Sequence, residues 1–266
     1  GAALLKLLNK DTHVSVDSKI WTFLPSHWKV DGTVKVITFR DLLTHTSGFR
    51  SNAHNYADLK AMVKQGINPA DHGVAKYENC NYTILRLIIP KLAGYAITAI
   101  PDGTTNPVLQ TMETIQEISF ATDYMDYVQK KLFNPAGLPL LACKPIAHNP
   151  ALCYQFPATP AHGVDFGDYT LLCGSGGRNM SSAQLPTFFR TLHHTEKIIP
   201  ASLSKFMVAS LCYETGTTPK GVGYYEKAGF IPGELNSVIV GFENQSANAY
   251  SLTLKYFSGF FIPSKE

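Results

Sequence analysis

Several small groups of residues have types and spacings that can do chemistry. Ser202-Leu203-Ser204-Lys205 is a literal Ser-x-x-Lys. On a helix, a lysine one turn after a serine can take its proton and leave a nucleophilic oxygen. Pro200 precedes it, Ser202 fits a helix N-cap, and Phe206, Met207 and Leu211 read as core, so an ordinary helix start is the preferred reading. His45 and Ser47 suggest a Ser–His pair, yet neighbouring turn residues rarely aim at one reacting atom. His193-His194 with Glu196 has metal-ligating residue types, but adjacent histidines at a helix end face different ways, and a solvated end is preferred. Gly174-Ser175-Gly176-Gly177 is not followed by the Gly-Lys-Ser/Thr of a phosphate loop and reads as a set of tight backbone turns. No metal and no cofactor is expected.

The elements that position such residues follow from periodicity. Residues 1–8 read as a helix, with Ala3, Leu4, Leu7 and Leu8 on one side. Residues 17–25 read as a turn and an extended piece. Thr38 and Asp41 have capping-box spacing, Leu42 and Leu43 give a short helix an apolar face, and Gly48 suits the left-handed residue that ends it. Helices are expected over 56–64 (stopped by Gly66), 79–92, 122–133, 182–192 and 201–211. Residues 96–114, rich in Thr, Pro and Gly, read as an irregular surface excursion. Residues 143–164 read as a long loop carrying His148 and His162, of the kind that walls a binding site. β-branched and aromatic runs at 223–226, 237–242 and 249–256 read as antiparallel strands. Helices first and strands last imply an α+β fold, a mostly helical lobe over about 38–215 and a C-terminal sheet packed against helices, all within one domain of 1–266.

Composition narrows the partners. Apolar residues are 45% and charged residues 16% of 266, enough hydrocarbon for a sizeable core. A net charge of +3 without a basic, aromatic-interleaved run excludes a nucleic-acid reading. No stretch has membrane-spanning length, and Gly1–Leu8 lacks the basic start of a signal peptide. The five cysteines, Cys80, Cys143, Cys153, Cys173 and Cys212, form no CxxC pair. Cys143 and Cys153 flank a Pro-rich loop and can bridge if the protein is exported; free buried thiols is the rival reading. The compartment stays open, secreted or periplasmic being among the options.

Ala2 to Leu8, Leu24-Pro25, Leu42-Leu43-Thr44-His45-Thr46-Ser47-Gly48, Tyr77-Glu78-Asn79, Phe133 to Leu138, Gly174 to Ser181 and Lys227-Ala228-Gly229 stand in one order along nearly the whole chain. In that order the sequence resembles the serine β-lactamase, penicillin-binding protein and carboxylesterase superfamily, class C β-lactamase-like branch. The resemblance implies a β-lactamase/transpeptidase-like fold and acyl transfer, in which a serine attacks a carbonyl and backbone amides hold the oxyanion. It implies that Tyr77 belongs to the base system, its phenol depressed in pKa by nearby lysines, and that Asn79 hydrogen-bonds the substrate and a lysine. It implies that Lys227 supplies positive charge near Tyr77 in a shared cleft, that Ala228 and Gly229 line the substrate strand, and that His45 is structural, bonding backbone at the helix end. Without the resemblance, Tyr77 would be only an aromatic at a helix start.

Two departures shape the functional expectation. Ala228 replaces the usual Thr or Ser, which weakens a β-lactam or peptidoglycan reading and leaves an esterase or amidase reading intact. The family's Ser-x-x-Lys would precede the helix at residues 1–8. The nucleophile is therefore expected upstream of Gly1, on the same chain or on an N-terminal fragment. The leading expectation is a serine hydrolase acting on a small ester or amide through an acyl-enzyme. Its rival is a catalytically inactive binding or scaffold protein that keeps the pocket.

Overall fold

The computed structural model describes residues 1–10, 13–101, 103–145, 167–181, 183–217, 223–230, 236–243 and 252–258, the last three ranges by their backbone alone. The chain divides into two compact units. The first comprises residues 1–146 and 167–204, and the second is built on 205–266.

Helices dominate the first unit: α1 (Ala2–Leu8), α2 (Phe39–Leu43), α3 (Tyr56–Gln65), α4 (Cys80–Thr83), α5 (Leu85–Leu92), α6 (Asn106–Val128) and α7 (Gln184–His194). Helix α1 buries Leu4 and Leu5, and it packs on α5, which buries Leu87 and Ile88. Each such side chain contributes about 1.5–3 kcal/mol when fully buried. Helix α3 is capped by the Asn55 side chain, which accepts from Asp58 N, and it stops at Gly66, whose φ of +85° favours glycine.

Four expectations need correction. Residues 20–23 form a 3-10 turn rather than an extended piece. The 79–92 helix is broken into α4 and α5 at Ile84. The segment read as irregular over 96–114 contributes the start of α6, a helix of 23 residues that absorbs the shorter one expected at 122–133. Pro107 sits in its first turn, where a missing N–H costs nothing, and Thr111 and Thr114 turn their hydroxyls back onto Pro107 O and Gln110 O. Burial of Gln116, Phe120, Ala121 and Tyr127 along one side then outweighs poor helix propensity. Lastly, Ser202 lies inside α8 (Ala201–Ser210) rather than at its cap.

The second unit carries a four-stranded antiparallel meander in the order β1 (Glu214–Thr217), β2 (Gly223–Phe230), β3 (Asn236–Glu243), β4 (Leu252–Ser258). Strand β1 adds to the three expected strands, and β2 runs four residues past its expected end to take in Lys227, Ala228 and Gly229. Most of the long loop at 143–164, with Cys153, His148 and His162, lies outside the described residues.

Candidate active site

The Thr-His-Thr-Ser-Gly run is a clamp. Thr38 Oγ1 accepts from Asp41 N, and Asp41 Oδ2 accepts from Thr38 N at 2.8 Å, completing the capping box of α2. The helix ends at Leu43, and the residue that turns left-handed next is His45, with φ of 58°. A non-glycine residue there costs about 1 kcal/mol. Three bonds offset that cost. His45 O accepts from Lys76 N at 2.9 Å, His45 Nδ1 accepts from Glu78 N at 3.2 Å, and Asn81 Nδ2 lies 3.3 Å from the same ring nitrogen. An accepting Nδ1 assigns the ring proton to Nε2. Ser47 Oγ donates to Asn81 Oδ1 at 2.5 Å and accepts from Phe49 N, and Ser47 and Asn81 are fully buried. His45 is therefore structural, as the resemblance implies, and Ser47 is committed to Asn81.

Asp41 anchors the other side of this turn. Burial pushes its carboxyl pKa up, but bonds from Thr38 and His72 outweigh burial and hold it below the usual carboxylate value. It also accepts from Thr46 Oγ1, so one carboxylate joins the start of α2, the clamp turn and His72.

What the clamp holds is the segment bearing Tyr77 and Asn79. The Tyr77 ring lies against His45, centroids 4.4 Å apart at 32°, while the residue as a whole stays 52% exposed. Asn79 is exposed, and its carbonyl accepts from Tyr82 N and Thr83 N to start α4. The lysine next to Tyr77, Lys76, is paired with Glu78 at 3.1 Å. Asn81 is the member that sequence reasoning misses. It falls in line with Ile84, Leu85 and Ile88, and a polar residue in an apolar stripe is the signal that could have found it.

In the second unit, Lys227, Ala228 and Gly229 pair with Val240, Ile239 and Val238 of β3. The β1 ladder ends opposite Glu226. Beyond that point β2 has no ladder partner on the β1 side among the described residues.

The remaining candidates lie in other settings. Ser202 and Lys205 are exposed on α8. His193 Nδ1 lies 2.8 Å from the buried Ser204 Oγ, and burial lowers its pKa to about 4. Among the described residues no group of three or more His, Cys, Asp or Glu can hold a metal ion. None of their helices is long and apolar enough to cross a membrane. Gly174 packs its backbone against Thr83, where an added Cβ would come within 3.0 Å, and Gly177 takes a φ of +79°.

The family model described as Beta-lactamase matches residues 1–207. The chain belongs to the Beta-lactamase family. No curated protein matches it. Among solved structures it is similar to FmtA from Staphylococcus aureus, with a TM-score of 0.66, 17% identity, and cover of 98% of this chain and 66% of FmtA. It is similar to the D-amino acid amidase from Ochrobactrum anthropi SV3, with a TM-score of 0.65, 16% identity, and cover of 97% and 76%. A class C β-lactamase gives 0.61, 17%, and cover of 91% and 70%. These likenesses show the β-lactamase/transpeptidase-like fold. The chain spans just under two thirds of FmtA's length.

Proposed function

We propose that this Beta-lactamase-family chain is the greater part of a serine hydrolase that opens a small ester or amide through an acyl-enzyme. In this reading the nucleophilic serine and its lysine are supplied by sequence beyond residues 1–266. Tyr77 takes and returns the proton, and Asn79 hydrogen-bonds the substrate. Lys227 supplies positive charge toward a substrate carboxylate. The β2 backbone at Ala228 or Gly229 donates an amide to the substrate.

One observation carries the reading: a half-exposed tyrosine mounted on a buried, hydrogen-bonded clamp. Acid–base catalysis requires a positioned phenol, and the clamp fixes the backbone at Lys76 and Glu78, on either side of this one. Ala228, with no hydroxyl for a carboxylate, favours simple esters or amides over β-lactams.

The test is turnover of p-nitrophenyl esters by the full-length protein, with intact mass after a fluorophosphonate. A covalent adduct and a rate lowered about 100-fold or more by Tyr77→Phe are expected. No adduct, together with tight binding of an ester analogue, would instead make the protein a binder that has lost catalysis. Unchanged turnover in Tyr77→Phe would remove Tyr77 from the mechanism.

A further inference from the structure

Two 3-10 turns of the first unit, Ile20–Phe23 and Gly32–Val36, lie side by side. Ile20 N donates to Ile37 O at 3.0 Å, Phe39 N donates to Ser18 O at 3.3 Å, and Lys19 and Thr38 form an antiparallel bridge. Their inner sides are fixed by Ile20, Val34 and Ile37, all fully buried, and by the Phe23 ring, 5.4 Å from that of Phe39. Their outer side carries Trp21, 39% exposed, and Val36, 45% exposed.

Two lysines frame this apolar pair. Lys35 Nζ stands over the Trp21 ring, 5.2 Å from its centroid, and Lys19 Nζ donates to Val36 O at 2.6 Å. Both lysines are exposed. From residue 18 to residue 40 the chain has Lys19, Lys29, Lys35 and Arg40 against one acid, Asp31, whose Oδ1 accepts from Thr33 N and Thr33 Oγ1. Asp17, just outside that span, holds Arg40 at 2.7 Å. Trp21 and Val36 thus form an apolar centre in positive surroundings.

An anionic partner suits that charge, and the geometry favours one kind. A sugar ring would stack on the indole face, but Lys35 stands over it. An acidic peptide would take an open strand edge or a groove, whereas here Lys19 Nζ already occupies Val36 O and Ile20 N is bonded to Ile37 O. A bilayer surface needs neither. Indole rings settle at the headgroup level, and lysines lay their stems on apolar surface while their ammonium groups reach lipid phosphates.

We infer that Trp21, Val36, Lys19 and Lys35 form a docking surface for a lipid bilayer rich in anionic headgroups. Trp21 and Val36 enter the headgroup layer, and the two lysines contact phosphates beside them. The attachment is peripheral and reversible, because two apolar side chains and two charges supply far less than a spanning helix does. It is independent of the hydrolase reading.

The experiment floats the full-length protein with vesicles of phosphatidylcholine alone, or of phosphatidylcholine mixed equally with phosphatidylglycerol. Flotation is expected with the anionic vesicles only, and it should be lost in about 1 M salt, where charges are screened beyond about 3 Å. The emission difference between the parent and Trp21→Phe isolates Trp21, and it should move to shorter wavelength when anionic vesicles are added. Lys19→Ala and Lys35→Ala should each weaken binding about fivefold, the loss expected for one charge near such a surface. Trp21→Ala should weaken it more. No flotation with either vesicle, equal flotation with neutral vesicles at every salt concentration, or parent-like flotation of all three variants would each overturn the inference. Tighter binding by Lys35→Ala would also overturn it, in favour of a ring stacked on the indole. Retention on immobilised polyglutamate without flotation would do so in favour of an acidic chain.

Discussion

His45 and Glu78 are joined by one bond that crosses from a turn to the segment bearing Tyr77: the imidazole Nδ1 accepts the Glu78 backbone N–H at 3.2 Å. His45 makes it while in a left-handed conformation, so the bond helps offset the cost of that backbone geometry.

Replacing His45 by alanine should therefore do more than remove an aromatic contact. The Glu78 N–H loses its acceptor, Asn81 loses one of two side-chain partners, and alanine keeps the unfavourable φ. A loss of about 2–3 kcal/mol is expected, read as a lower urea midpoint with an unchanged slope. His45→Asn, which tolerates the left-handed region, should lose less than His45→Ala; equal losses would mean that backbone strain plays no part.

Tyr77→Phe should behave in the opposite way. The residue is 52% exposed, and its ring contact with His45 survives the change. Stability should stay within about 0.5 kcal/mol of the parent. A clear drop in the unfolding midpoint would show that the phenol is structural and that the proposed loss of turnover cannot be read as chemistry.

How much of this is legible in the sequence depends on how far apart the determining residues lie. The capping box at Thr38 and Asp41 is local, three residues wide, and reads directly. The stop at Gly66 is equally local. Helix α6 is not legible from its first half, because Pro107, Thr111 and Thr114 argue for a loop until Gln116, Phe120 and Tyr127 find buried partners elsewhere. His45 shows the same limit at the site. Gly48 is the obvious left-handed residue, and the structure does give it a φ of 84°, but the turn that leaves α2 is made by a histidine whose ring is secured by Glu78 and Asn81, more than thirty positions away.

Acid should weaken the first unit in two stages. His193 has a folded pKa of about 4 because burial disfavours its charged form. An unfolded histidine titrates near 6.5, so between these values the unfolded chain binds the extra proton and stability falls as pH drops. The full effect is at most about 3 kcal/mol. Asp41, held low, contributes stability above the unfolded carboxylate value near 4, and that share is lost as pH falls further through its folded value. Urea unfolding at several pH values should show the upper stage in the parent and not in His193→Gln. An identical pH slope in both proteins would assign the loss to other groups.

Gly66→Ala tests the mount of the clamp from its far side. Gly66 ends α3 at φ of +85°, and a Cβ there would come within 2.5 Å of Asp31 Oδ1 and Thr33 Oγ1. Those two atoms are not free to move. Asp31 Oδ1 accepts from Thr33 N at 2.8 Å, and Thr33 Oγ1 accepts from Ile67 N at 2.9 Å. Ile67 in turn lies directly beneath Gly48, its Cδ1 2.9 Å from where a Cβ at Gly48 would sit. The substitution thus combines an unfavourable φ with a collision against fixed polar atoms, and about 2–4 kcal/mol of destabilisation is expected. Because Ile67 connects the disturbed turn to Gly48, amide exchange should quicken at Gly48 and Phe49 as well as at Ile67. Protection lost only at residues 66 and 67 would show that the two turns are mechanically independent.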